Sequence, residues 1–288
     1  METIWASRIK EFFNQIPKGQ DQIWWLIRHQ EFWLVQELAP LGMWALCILV
    51  FRSIYDPVAV VIMAGTLVVH IYAHELAHAS VLKRNGIVTK IWWLFPLGAV
   101  AGGITKEEDA KSFSLPQWTF ALYALAGVIV NTLLIIAGLV LKTSSSHTVA
   151  IIGVGLILNG ALSVILNLLP IWQVDGTFAF KAIIGSIGDT ASIKLTRFFV
   201  FLAICVTLVV FAFNPPPIAG WLGYLQIAIL NLGWIAPPVL LAVGVARQRK
   251  KHLESPLPGT KMDLWQASLQ TILFLAIFYM SMLALTVT

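Results

Sequence analysis

Apolar runs long enough to cross a bilayer recur along nearly the whole chain, and no other feature restricts its fold as much. A membrane-spanning helix needs about 20 apolar residues. Such runs fall at about residues 32–51, 57–82, 117–141, 148–169, 198–213, 221–245 and 264–287. The fifth is short, which requires tilt, backward extension or partial insertion. Pro237-Pro238 is expected to kink or break the sixth, and Asn214-Pro215-Pro216-Pro217 reads as a rigid turn. In hydrocarbon every backbone N–H and C=O must be bonded within the protein, so runs of this length are helices. The expected fold is an all-α polytopic membrane protein of about seven transmembrane helices. Composition agrees. The chain is 58% hydrophobic and 11% charged, against about 25% charge in soluble domains. There is room for one membrane domain and none for a large soluble module. Cys47 and Cys205 lie far apart in apolar runs, which gives no support to a disulfide framework or a cysteine zinc site.

The net charge of +5 invites a nucleic-acid reading, but the basic residues follow topology instead. With seven spans, only Arg52 and Lys142 of the 19 Lys and Arg residues fall on the side opposite the N-terminus. The positive-inside rule then puts the N-terminus in the cytoplasm. Residues 1–31 form no cleavable signal, because Arg8, Lys10, Lys18 and Arg28 are balanced by Glu2, Glu11, Asp21 and Glu31. Trp5, Ile9, Phe12, Phe13 and Ile16 recur at helical spacing. This segment is expected to lie in the interface, with Trp24, Trp25 and Trp33 at headgroup level; a soluble N-terminal arm is the alternative. The expected organisation is an amphipathic N-terminal segment at 1–31, a membrane core at 32–196 and accessory C-terminal helices at 197–288.

Within the second run stands His74-Glu75-Leu76-Ala77-His78. Two histidines four apart share one helix face and can bind one metal ion, and the glutamate between them can act on a water at that metal. Ionisable residues in a membrane segment are expensive and need a partner or a task. A helix end meeting headgroups and water is the plain alternative. His70 extends the stripe by one turn, and a hydrogen bond to a neighbouring helix is the expected role for it. A zinc hydrolase needs a third protein ligand and one open position. The best candidate is Asp175, in Asn167-Leu168-Leu169-Pro170-Ile171-Trp172-Gln173-Val174-Asp175-Gly176. Counting Lys and Arg brings it to the same membrane face as the histidines. Pro170 ends the helix there, and Gly176 permits a tight turn that aims Asp175 back at the metal. A helix cap or Asx-turn at Asp175 is the alternative. Asp56 falls on the wrong side, and Asp109 lies in a charged run that reads as a solvated loop. Asn167 offers an amide to an oxyanion or to substrate backbone, or equally an interhelical hydrogen bond.

Between the second and third runs, residues 91–104 are apolar but rich in Gly and too short to cross. Both ends lie on one side, so a re-entrant or interfacial β-like loop is expected, its backbone covered by protein. Beside a protease site it would offer a strand edge to an extended substrate, or simply anchor the second span.

These residues resemble the motifs of the site-2 protease family of intramembrane zinc metalloproteases. His74-Glu75-Leu76-Ala77-His78 matches its H-E-x-x-H, and Asn167-x-x-Pro170-x-x-x-x-Asp175-Gly176 matches its N-x-x-P-x-x-x-x-D-G. Ala126-Gly127-Val128-Ile129-Val130-Asn131 is similar to its A-G-P-x-x-N, with Val128 in place of proline. The resemblance covers roughly residues 57–181. It implies a three-helix catalytic core, one Zn²⁺ per chain held by His74, His78 and Asp175, and Glu75 as general base. Asn167 is a second catalytic candidate. It further implies a membrane-spanning protein or peptide substrate cut within or near the bilayer of the cell membrane, with the active-site face cytoplasmic and no nucleic-acid partner. A metal-binding transporter and a noncatalytic scaffold are the competing functions. No internal repeat supports the first, and an intact Glu75 argues against the second.

Overall fold

The computed structural model describes residues 39–51, 56–94, 98–168, 174–213, 232–254 and 257–286. The expected interfacial segment 1–31, Trp33, Pro170 and the Asn214–Pro217 turn lie outside the described residues. Among the described residues, helices dominate and one antiparallel hairpin interrupts them. The order is α1 (Ala39–Phe51), α2 (Pro57–Arg84), β1 (Thr89–Leu94), β2 (Gly98–Gly103), α3 (Lys106–Phe113), α4 (Gln117–Leu141), α5 (His147–Leu168), α6 (Asp175–Phe213), α7 (Leu232–Glu254) and α8 (Leu264–Thr286). Five of them are long and apolar enough to cross a membrane: α2, α4, α5, α6 and α8.

Local chemistry sets the ends. Asp56 caps α2 by accepting from the Ala59 N–H at 2.9 Å, and Pro57 occupies the first turn, where its missing N–H costs nothing. Lys83 and Arg84 close the same helix against its negative pole. Thr105 caps α3 through the Glu108 N–H, ahead of Glu107, Glu108 and Asp109 in the first turn. Asp263 and Gln266 bond reciprocally at the start of α8.

The short fifth run does extend backward. It belongs to α6, which runs from Asp175 to Phe213 and is broken only at Gly188, with φ +77°. Helix α7 continues through Pro237-Pro238, so the sixth run is not interrupted there. The Lys106–Asp109 stretch is helix α3 rather than a solvated loop.

Helices α2, α4 and α5 pack against one another, α6 packs on α4, and α7 lies along α6. Small residues bring α4 and α5 close: Ala124 and Ala161 share one buried cluster, and a Cβ on Gly138 would lie 2.7 Å from the Gly153 carbonyl oxygen. Lipid tails are as apolar as leucine, so such close packing rather than water exclusion holds helices together in a bilayer. Larger groups fill the space between α6 and α8, where Phe180 and Phe274 meet edge-to-face at 4.5 Å. The buried face of α2 is polar along much of its length: Thr66, His70, His74 and His78 succeed one another at four-residue steps. Those steps keep the four residues on one side of the helix.

Candidate metal centre

His74 and His78 point from α2 toward the first residue of α6, Asp175. The His74 and His78 Nε2 atoms lie 3.0 Å apart, and Asp175 Oδ2 lies 2.9 and 3.3 Å from them. Both histidines are buried. Donors at about 2.0–2.2 Å around a tetrahedral ion stand about 3.3–3.6 Å from each other. Asp175 Oδ2 is buried and makes no hydrogen bond, because neither imidazole contact has the required direction. Three donor atoms thus crowd around one point. This group of His74, His78 and Asp175 is one that can hold a metal ion.

The rest of each ring is tied to neighbouring helices. His78 Nδ1 donates to the Tyr123 carbonyl of α4 at 2.7 Å. A carbonyl only accepts, so the proton sits on Nδ1 and Nε2 keeps its lone pair. His74 Nδ1 lies 3.1 Å from the Asn131 side-chain amide, also on α4. The His74 ring fits only because position 127 lacks a side chain: a Cβ on Gly127 would sit 2.5 Å from three of its atoms. Asp175 reaches the site because α6 starts against the end of α5. A Cβ on Gly176 would lie 2.2 Å from the Leu168 carbonyl oxygen. Glycine is needed there for this close approach and not for a left-handed turn, since only Gly86 and Gly188 have positive φ among the described residues.

Glu75 leaves the histidine face and meets the hairpin. Its Oε2 accepts the Ala101 N–H at 2.7 Å. The ladder explains why that N–H is available. Ile104 donates to the Val88 carbonyl, and Ile91 pairs with Ala101. Hydrogen-bonded and non-bonded pairs alternate in an antiparallel ladder, so Ala99, Ala101 and Gly103 turn their N–H groups away from β1. The outer edge of β2 therefore faces Glu75. At its end the Gly103 N–H bonds Asp109, whose carboxyl burial pushes up to about 6. Trp93 of β1 stacks on Tyr72 of α2, with centroids 6.4 Å apart, and fixes the hairpin to the site helix.

The rival carboxylates are engaged elsewhere: Asp56 caps α2, Asp109 holds the hairpin end, and Asp189 pairs with Arg249 of α7. Asn167 lies on α5, and its Nδ2 is 3.4 Å from Ser163 Oγ. Ser163 in turn accepts from Asn131 at 2.8 Å, so Asn167 joins the site through a chain of polar side chains. His70 is fully buried one turn deeper, 3.0 Å from Asn131 and 2.9 Å from the Leu156 carbonyl of α5. That is the interhelical bonding expected of it. The Tyr123 carbonyl, the Ala101 N–H and Ser163 have no signature in the sequence, because backbone groups and a lone serine carry no motif. Asn131 was visible only as the last residue of a weak motif. No protein-family model, curated protein or solved structure matches the chain.

Proposed function

We propose that this protein is an intramembrane zinc metalloprotease of the site-2 protease type. It would cut membrane-spanning proteins or peptides within or near the bilayer of the cell membrane. The observation that carries the reading is the meeting of His74, His78 and Asp175 from two helices, with Glu75 beside them on the helix that supplies both imidazoles. Two imidazole nitrogens and one carboxylate oxygen suit zinc and leave a position for water or substrate. A zinc ion bound there would supply Lewis acidity to the scissile carbonyl and to a water. The Ala101 N–H holds one Glu75 oxygen, and the other takes the water's proton and passes it to the leaving amine. By donating Nδ1–H to Tyr123, His78 keeps an Nε2 lone pair that would be free to bind the ion. Asn131 braces His74, and Asn167 lies within reach of the same polar chain.

A membrane-spanning substrate arrives as a helix whose peptide bonds are shielded by their own turns. The outer edge of β2 gives it an extended template next to Glu75. Seven spans with a cytoplasmic N-terminus put the metal centre toward the cytoplasmic side, where water enters. The 13-residue α1 and the less apolar α7 supply the two spans beyond the five long ones.

The test is Glu75→Gln in the full chain. Metal content should be retained while cleavage is lost and uncut membrane proteins accumulate in cells. Loss of metal together with activity would make Glu75 structural, and undiminished cleavage would remove it as the base. Elemental analysis separates zinc from ferrous iron, which the same donor set accommodates.

A further inference from the structure

We infer that His70 is a positioning residue: through Asn131 it fixes which nitrogen of His74 is free to bind metal. The inference rests on the metal-centre reading above and extends it one turn deeper into α2.

The two metal-facing imidazoles are not held in the same way. His78 donates to a carbonyl, which admits one arrangement only. His74 meets a side-chain amide, which has nearly the same outline with its oxygen and nitrogen exchanged. With the nitrogen toward His74, Nδ1 must accept, the proton moves to Nε2, and the lone pair needed by the metal is gone. With the oxygen toward His74, Nδ1 donates and Nε2 is bare. Asn131 alone does not choose between these.

His70 chooses. Its Nε2 lies 2.9 Å from the Leu156 carbonyl, which can only accept, so Nε2 carries a proton. A neutral imidazole has one N–H. It is spent on Leu156, so Nδ1 must accept. Its partner at 3.0 Å is Asn131, whose amide stands with Oδ1 toward His70 and Nδ2 toward His74; the two ends of an amide have the same outline, and this accounting requires the amide turned over, with its nitrogen toward His70. That leaves the amide oxygen for His74. Ser163 Oγ, which accepts from Nδ2 at 2.8 Å before the turn, faces Oδ1 after it, and a hydroxyl can donate there as readily as accept. Both ring nitrogens of His70, the Asn131 amide and the Ser163 hydroxyl are satisfied at once. The other pattern needs an imidazolium enclosed by neutral groups, which is costly inside a helix bundle in lipid.

A second feature shows that the place for His70 is built. A Cβ on Gly160 of α5 would lie 2.6 Å from His70 Cε1. The gap repeats what Gly127 provides for His74. Neither ring would fit beside an alanine without a shift.

The experiment compares His70→Leu with His70→Gln in the full-length, detergent-solubilised protein. Zinc affinity is read by competition with a chromophoric chelator. Glutamine can reproduce the pattern, its NH₂ donating to Leu156 and its oxygen accepting from Asn131. Leucine fills similar space and leaves Asn131 free to turn. Groups that orient a metal's histidine typically account for about 10–100-fold in affinity. His70→Leu should lose that much, and His70→Gln should stay within about threefold of wild type. Equal affinity in wild type and His70→Leu overturns the inference while leaving the metal centre intact. Equal loss in both variants overturns it too, because it would require the imidazole itself. Should the variants fail to fold, ¹⁵N-histidine spectra of the zinc-loaded wild type decide. The His70 ring should be protonated at Nε2 and bare at Nδ1, and the reverse refutes the inference. A wild type that binds no zinc overturns the metal-centre reading and this inference together.

Discussion

Replacing Gly127 by alanine tests the metal centre without touching a polar group. The new Cβ would lie 2.5 Å from His74 Cδ2, Cε1 and Nε2. Carbon atoms in good contact stand about 3.5–4.0 Å apart, so the ring or helix α4 must yield by about 1 Å. The ring has little freedom, because Asn131 holds its Nδ1 side at 3.1 Å. A metal site tolerates donor displacements of only about 0.2 Å. Overpacking of this kind costs about 1–3 kcal/mol. If the cost falls on the bound geometry, it becomes about a 5- to 150-fold loss of zinc affinity at 1.4 kcal/mol per tenfold. The assay is chelator competition, with thermal unfolding of the metal-free protein alongside. The expected result is weaker zinc binding out of proportion to any loss of stability. Wild-type affinity in a folded Gly127→Ala protein would refute the reasoning, because it would mean that His74 Nε2 is not where the metal needs it.

Three further predictions concern the hairpin and the membrane. Asp109 has a carboxyl raised from 3.8 to about 6 by burial, so its protonated form favours the docking of α3 on β2. That contribution is fully present below about pH 4 and is lost as pH rises through about 6. Amide exchange across residues 103–113, corrected for intrinsic rates, should quicken between pH 4.5 and 7.5, and Asp109→Asn should flatten the profile. A wild-type profile that is already flat would contradict this. Ala101→Pro removes the N–H that Glu75 accepts but no ladder bond to β1, since that N–H points outward. It should lower cleavage severalfold with zinc retained, and Ala99→Pro should do the same if the edge pairs with substrate. Impairment at 101 alone would assign the hairpin to Glu75 and not to substrate, while normal cutting by both variants would remove it from the mechanism. Reporter fusions after Ser144 and at Thr288 should both report the outer side. A cytoplasmic signal at Ser144 reverses the orientation, and one at Thr288 alone changes the number of spans.

The metal-facing triad was legible in the sequence because each residue is announced by a constraint of its own. Two histidines four apart must share a helix face. The Lys and Arg count sets Asp175 on the histidines' membrane face and Asp56 on the other, and Asp56, Asp109 and Asp189 are all engaged elsewhere. The hairpin was foreseeable from hydrogen-bond accounting, since a short Gly-rich apolar segment cannot remain unpaired in lipid. Helix boundaries were less legible. Residues 189–197 are polar enough to read as a loop, yet they continue α6 from Gly188 into the apolar run.

What surrounds the triad could not be read, because it depends on register between helices and not on residue spacing within one. Asn131 touches both His70 and His74 only if α4 crosses α2 at one depth, and Gly127 sets that depth by admitting the His74 ring. Gly160 does the same for α5 and His70. A glycine in a membrane helix is common, so neither position announces itself as steric room for an imidazole. The donors that act on Glu75 and His78 are backbone groups at Ala101 and Tyr123, and a backbone group has no letter of its own. The same logic ties the two carboxylates at the hairpin together. Ala101 and Gly103 are two residues apart on one outward edge, so one strand register delivers an N–H to Glu75 and another to Asp109. A one-residue slip would turn both inward toward β1 and leave both acids without a donor. The docking of α3 through Asp109 therefore guards the alignment of Glu75, although the two residues lie in different helices.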